Sequence, residues 1–319
     1  MRLTRYLWLF LIGGTVPGVN AAYAQNFPHK PIRVLTSSAG SGNDAVARLI
    51  AQGISGPLGQ QVIVENRPSG VIPIEIVAKA QPDGYTLLSY GGTVWLAPLL
   101  QKVPYDPVTD FSPITIVEKA PLVLVIHPSV AANSVKELIA LVKAKPGALN
   151  YASTATGSST HLTAELFNAM AGVSTTRVNY KGGSVAAGDL ISGQVQMMFV
   201  SPPPVMPHVK AGKLKGLAVT GMEPSMLAPG LPTMAASGLP GFESVTMTGV
   251  FAPAKTPKAV ITRLNQEIVR LVKTPEAKEK FFSAGSEVAG SSPEELATAI
   301  KSDMVKWGKL IKAAGIRIE

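Results

Sequence analysis

The chain has 319 residues, a formal net charge of +9, 46% hydrophobic residues and 0 cysteines. Without cysteine there are no disulfides, no thiol catalysis, no Cys-based metal site and no lipid-modified N-terminal Cys. The basic residues are scattered, without a block of like charge or interleaved aromatics, which argues against a nucleic-acid partner and leaves small anions as the natural counterpart.

Arg2 and Arg5 precede an apolar run over residues 6–12, and Ala22-Tyr23-Ala24 supplies a small-x-small cleavage pattern. This order predicts a secretory signal peptide over residues 1–24 and an exported product. The apolar run is too short to span a bilayer, which takes roughly 20 apolar residues. The densest later run, residues 121–126, has the length of a buried strand.

Residues 31–36, 61–65 and 85–89 read as strands, with helices over 44–53 and 75–80 between them. A β-α-β-α-β order implies parallel strands joined by right-handed crossovers, in a sheet covered on both faces. A second unit begins near His127. Ser134 and Glu137 form a capping box that opens a helix, which Lys145-Pro146-Gly147 ends. Strands follow at 149–152, 176–178 and 196–200, with helices between them, the first from about Thr160.

A Pro- and Gly-rich stretch, residues 223–241, reads as an ordered surface loop. Thr256 with Pro257, and Ser292 with Glu295, mark the starts of two C-terminal helices. The expected fold is α/β with two lobes, each a mainly parallel sheet flanked by helices. Residues 25–122 and 249–319 are assigned to lobe 1 and residues 123–248 to lobe 2. The lobes then join through two strands, the hinge of a protein that closes on a ligand.

Two Gly/Ser-rich turns sit where ligands bind such sheets, beyond the carboxyl ends of strands. The first holds Ser37, Ser38, Gly40, Ser41 and Asn43 ahead of Asp44; the second holds Ser153, Thr154, Gly157, Ser158 and Ser159. A helix start offers unpaired N–H groups and the positive end of the dipole to a carboxylate or phosphate. One such turn is commonly only a cap; two, one per lobe, point to a small anion held between them. Asp44 is suited to orienting the first loop or an ordered water.

The segment Gly40-Ser41-Gly42-Asn43-Asp44-Ala45 also satisfies G-x-G-x-x-A, with Glu65 ending the second strand. That is the mark of a dinucleotide-binding oxidoreductase. Against it, Asp44 stands where a pyrophosphate must approach, and an exported protein meets little nicotinamide cofactor. No G-x-S-x-G elbow appears, and His29, His127, His161 and His208 lack metal-ligand spacing. Neither a catalytic set, a metal nor a cofactor is expected.

Several runs carry a family resemblance: Phe27-Pro28-His29-Lys30-Pro31-Ile32-Arg33, Val64-Glu65-Asn66-Arg67-Pro68, Gln81-Pro82-Asp83-Gly84-Tyr85-Thr86-Leu87-Leu88, Tyr180-Lys181-Gly182 and Ala211-Gly212-Lys213-Leu214. As an ordered set they resemble the substrate-binding proteins of tripartite tricarboxylate transporters, the Bug-type receptors. The resemblance implies a type II-like, two-lobed periplasmic binding protein. Such a protein acts as a monomer, holds a small carboxylate without covalent chemistry, and delivers it to integral membrane transporter subunits. It further implies that residues 37–44 hold one carboxylate, partly through water. Residues 153–159 would hold the other end, and Gly91, Gly92 and Thr93 would line the pocket.

The chain departs from the family at Ala39-Gly40-Ser41, in place of a P-G-G turn, and in a shortened stretch over residues 69–74. It also carries Val200 where many members have an Asp, which implies a ligand without an ammonium group. Trp95 is a candidate aromatic wall, although a Trp more often packs in a core.

Overall fold

The computed structural model describes residues 27–67 and 70–317; the expected signal peptide lies outside these described residues. β1 (Ile32–Thr36) buries Ile32, Val34 and Leu35, and pairs in parallel with β2 (Val62–Asn66) and β3 (Thr86–Tyr90). The crossover from β1 to β2 is α1 (Gly42–Leu58), capped by Ser41 and ended by Gly59 in the left-handed region at φ +67°. Its stripe of Val46, Ile50 and Ile54 covers the sheet. α1 runs five residues beyond Gly53, the last residue of the predicted helix. Gly53 survives inside it because a Cβ there would lie 2.3 Å from Leu271, so the glycine permits a close helix–helix approach.

α2 (Ile72–Ala78) leads to β3, and α3 (Thr93–Leu100), a helix that sequence periodicity did not reveal, follows it. β4 (Phe111–Pro121) then carries the chain towards the second lobe. That lobe contains β5 (Val123–Ile126), α4 (Val135–Ala144), β6 (Asn150–Ser153) and α5 (Ser159–Ala171). It continues through β7 (Thr176–Asn179), α6 (Gly183–Ser192), β8 (Met197–Val200), α7 (Met206–Lys210) and β9 (Lys215–Val219). β10 (Val245–Pro253) returns to the first sheet, followed by α8 (Lys258–Val272), α9 (Pro275–Ser283), β11 (Glu287–Val288) and α10 (Pro293–Ala313).

The first sheet has the order β11-β4-β10-β3-β1-β2 and the second β7-β6-β8-β5-β9. β1 with β2 and β3, and β6 with β7 and β8, pair in parallel, as helical crossovers require. Strands that carry the chain between lobes pair antiparallel, β4 with β10 and β5 with β8 and β9.

Both crossings are tied at Thr220, which is fully buried. Its Oγ1 accepts from Leu122 N (2.8 Å) and donates to Ser244 O (2.5 Å), while its N–H donates to Leu122 O and its C=O accepts from Ser244 N.

Local signals held in part. Ser292 and Glu295 form the reciprocal capping box. Ser134 caps α4, but the Glu137 carboxylate accepts from Asn133 N, one residue further out than the box requires. Thr256 is not the cap of α8: its hydroxyl donates to Pro253 O, and the helix starts at Lys258 behind an extended Pro257. Residues 223–241 form more than surface, since Ala228, Met234 and Leu239 are buried against the second sheet.

α10 spans the molecule. Leu296 and Ile300 join the core around β3 and β4, while Trp307, Leu310 and Ile311 join the core of the second sheet. Leu96, Leu99 and Leu100 of α3 lean on that same second core.

Candidate ligand-binding site

A cavity of about 510 Å³ lies between the lobes, walled by α3 on one side, residues 155–159 on the other, and β10 with α10 behind. Gly92 and Thr93 at the start of α3 line it, and Gly157, Ser158 and Ser159 at the start of α5 face it from the second lobe. Two helix N-termini therefore flank one space, each with orphan N–H groups. Gly157 has φ +78°, which favours glycine, and a Cβ there would lie 2.6 Å from Leu100 Cδ1, so the lobes touch at this edge and a side chain would have to displace the end of Leu100.

The first Gly/Ser turn is built around Asp44. Its carboxylate accepts from Gly40 N (2.8 Å) and Asn66 Nδ2 (2.8 Å) and pairs with Arg48 Nε (3.0 Å), while its N–H donates to Ser41 Oγ. Burial works against ionisation, but the Asn66 amide, the Gly40 N–H and Arg48 outweigh it and hold the carboxyl below its ordinary range. Ser37 Oγ and Ser41 Oγ share a 2.6 Å hydrogen bond, and Ser41 N donates to Ser38 O. Asn43 points towards Gly91, its Oδ1 3.4 Å from where a Cβ would stand.

None of Ser37, Ser38, Gly40, Ser41, Asn43, Asp44 or Gly91 lines the main cavity. The start of α1 instead borders, through Gly42, a recess of about 240 Å³ that shares Ser159 and Thr246 with it. The same geometry disfavours a dinucleotide. The Asp44 carboxylate occupies the Gly40 N–H that a pyrophosphate would need, and Glu65 is paired with Arg33 and Arg67.

The second turn rests on Arg177 of β7, which sequence reading did not single out. It donates from Nε to Ser153 Oγ (2.7 Å) and from one terminal nitrogen to Thr156 Oγ1 (3.2 Å). The other terminal nitrogen donates to Thr154 O (2.7 Å) and Asn179 Oδ1 (3.2 Å). No carboxylate among the described residues forms an ion pair with it. Ser153 and Thr154 thus anchor the loop from behind, while Thr156 to Ser159 face the cavity.

Ser158 Oγ caps α5 by accepting from His161 N. His161 is buried and its Nδ1 accepts from Gly157 N (3.1 Å). Burial first, and the Arg177 charge second, push its pKa down to about 4, so the ring is neutral at neutral pH.

Val200 sits in the apolar core beneath the second sheet, and its neighbour Ser201 lines the recess instead. Trp95 does face the cavity, with its Nε1 donating to Asp303 Oδ2. Asp303 and Trp307, both of α10, complete the back wall; no local pattern marks them, because they reach the cleft only through packing.

Two hinged α/β lobes enclosing a cleft between opposed helix starts are the construction of a solute-binding protein. Residues 46–316 match the family model described as the tripartite tricarboxylate transporter family receptor, and the chain belongs to that family. It is 37% identical over 302 residues to the UPF0065 protein of the tcbD-tcbE intergenic region of a Pseudomonas species, spanning 93% of this chain and 90% of that protein. The solved structure of R. palustris Rpa4515 with adipate superposes at a TM-score of 0.73 with 32% identity, covering 91% of this chain and 99% of that one. MatC from Rhodopseudomonas palustris with bound malate gives 0.70 and 28%, covering 89% and 100%. The family is one of receptors, not enzymes, in line with capture without catalysis. Among the described residues no helix is long and apolar enough to cross a membrane.

Proposed function

We propose that this chain is exported to the periplasm, closes its two lobes on a small carboxylate, and delivers it to the membrane subunits of a tripartite tricarboxylate-type transporter. The observation that carries this reading is the start of α5. Ser158 and Ser159 open the helix at the cavity, and the loop before it rests on Arg177, a guanidinium held by neutral oxygens alone. An N-terminal dipole backed by an uncompensated cation favours an anion. A ligand touching both lobes favours the closed state, because the second set of contacts exists only on closure. The solved relatives with adipate and with malate support the same ligand class.

Thermal unfolding against a panel of mono-, di- and tricarboxylates, acidic amino acids and NAD tests it. A saturable rise with an acid supports capture; selective binding to the native state at 100 times Kd stabilises by about 2.7 kcal/mol. A rise with NAD alone would return the first turn to dinucleotide binding.

A further inference from the structure

The two ends of the cavity differ in charge. The second-lobe end, Thr156 to Ser159, lies over Arg177, which has no acid partner among the described residues. The first-lobe end is mainly apolar and uncharged: Trp95, Leu96 and Ala97 of α3, with Met247 of β10 and Trp307 of α10 beside them, while Thr93 and Gln101 at the two ends of α3 add neutral polar groups. Asp303 is the one acidic or basic side chain among the described residues lining the cavity. It is buried, and its carboxylate accepts from Trp95 Nε1 (3.2 Å) and pairs with Lys306 Nζ (3.0 Å). Lys306 also donates to Glu243 O and lies 4.9 Å from the centroid of the Trp307 ring, so that pair is closed on itself.

We infer that the cleft selects a monocarboxylate with an aromatic or alicyclic hydrocarbon body, its carboxylate at the start of α5 and its body against Trp95, with Asp303 excluding a second carboxylate. This rests on the receptor reading and sharpens it. A hydrocarbon body gains by leaving water for the apolar wall, and an aromatic one gains further from the edge or face of the indole. A second carboxylate at the first-lobe end would lose its hydration, find no cationic side chain lining the cavity, and meet the Asp303 carboxylate, whose charge the partly exposed Lys306 offsets only in part. Like charges set together in a closed site are costly, and such repulsion is how binding sites reject near neighbours of their ligand. The solved relatives with adipate and malate carry diacids, so the preference inferred for this chain runs against theirs and is argued from the cavity lining alone.

Isothermal titration calorimetry of the purified protein, with benzoate and cyclohexanecarboxylate against malate, adipate and citrate, tests the assignment. The expected result is that at least one monocarboxylate binds about tenfold or more tighter than every multiply charged acid, with quenching of tryptophan fluorescence. Asp303→Asn, which leaves Lys306 unneutralised, is expected to narrow that gap by about tenfold, through better binding of the diacids. Diacids that bind wild type more tightly than both monocarboxylates overturn the inference and leave the receptor reading standing. A gap unchanged in Asp303→Asn removes Asp303 as the excluding group. Binding of none of these acids overturns both readings.

Discussion

The indole N–H of Trp95 donates to Asp303 Oδ2 at 3.2 Å across 208 positions of sequence. The bond ties α3, which opens the first-lobe side of the cleft, to α10, whose later turns pack into the second core. The wall of the cavity and the packing between lobes therefore share one buried hydrogen bond. Substituting Asp303 by Ala strands the buried Trp95 N–H and removes the carboxylate partner of Lys306, which keeps only Glu243 O. A loss of about 1–3 kcal/mol is expected, read from urea denaturation, with a changed Trp emission in the native baseline.

Asp44→Ala is expected to lower stability while leaving the protein folded, since the Gly40 and Asn66 donors lose their acceptor. The folded-state pKa of Asp44 lies below its ordinary value of 3.8. The stability it contributes is thus complete at pH above that value and is lost as pH falls below it, through the folded pKa. In Asp44→Asn the acid limb of a stability–pH curve should be shallower; an unaltered limb would show that this carboxylate does not hold the loop.

His161 titrates in the same direction for a different reason. Its folded pKa of about 4 lies below the unfolded 6.5, so folding favours the neutral ring. Stability from this preference is full above pH 6.5 and declines as pH falls from 6.5 towards about 4, because the unfolded chain takes up the proton first. The decline is on the order of 3 kcal/mol for a shift of this size. His161→Gln should flatten that interval, as followed by melting temperature between pH 7 and pH 4.

Gly157→Ala places a methyl group in a left-handed backbone and against Leu100. The backbone strain alone costs about 1–2 kcal/mol, and the clash falls on the contact between lobes. Acid affinity should drop more than stability. Adding Leu100→Ala should restore part of the affinity, a coupling that a double-mutant cycle measures.

Arg177→Lys keeps the charge but loses the fork that holds Ser153, Thr154 and Thr156 together. Binding should weaken about tenfold in Arg177→Lys and further in Arg177→Met, with calorimetry as the readout. Equal loss in both would assign the whole effect to loop geometry and none to charge.

Much of the fold was legible because its signals are local. Strand runs at 31–36, 61–65 and 85–89 and the Ser292–Glu295 box express hydrogen bonding and periodicity within a few residues. Thr256 shows the limit of such reading, because Pro257 stays extended and the hydroxyl turns back to Pro253. α3 escaped notice because it is apolar around most of its circumference and carries an internal Pro98.

Where the two Gly/Ser turns lie relative to the cavity followed the same division. Gly157, Ser158 and Ser159 face the cavity as the second Gly/Ser turn implied, since their place is set by the strand–turn–helix unit itself. The first turn borders only the smaller recess, through Gly42, because Asp44 folds that loop onto Asn66 and Arg48.

The sequence alone determined the α/β alternation, the helix starts that offer N–H groups to an anion, and, through its ordered motifs, the family. Only the tertiary structure decided what those helix starts face: Trp95, Asp303 and Trp307 on one side of the cleft and an Arg177-backed turn on the other. The physical reason is sequence separation. A cap or a strand is settled by neighbours a few residues away, whereas a cleft wall is settled by side chains brought together from distant segments when the two lobes pack.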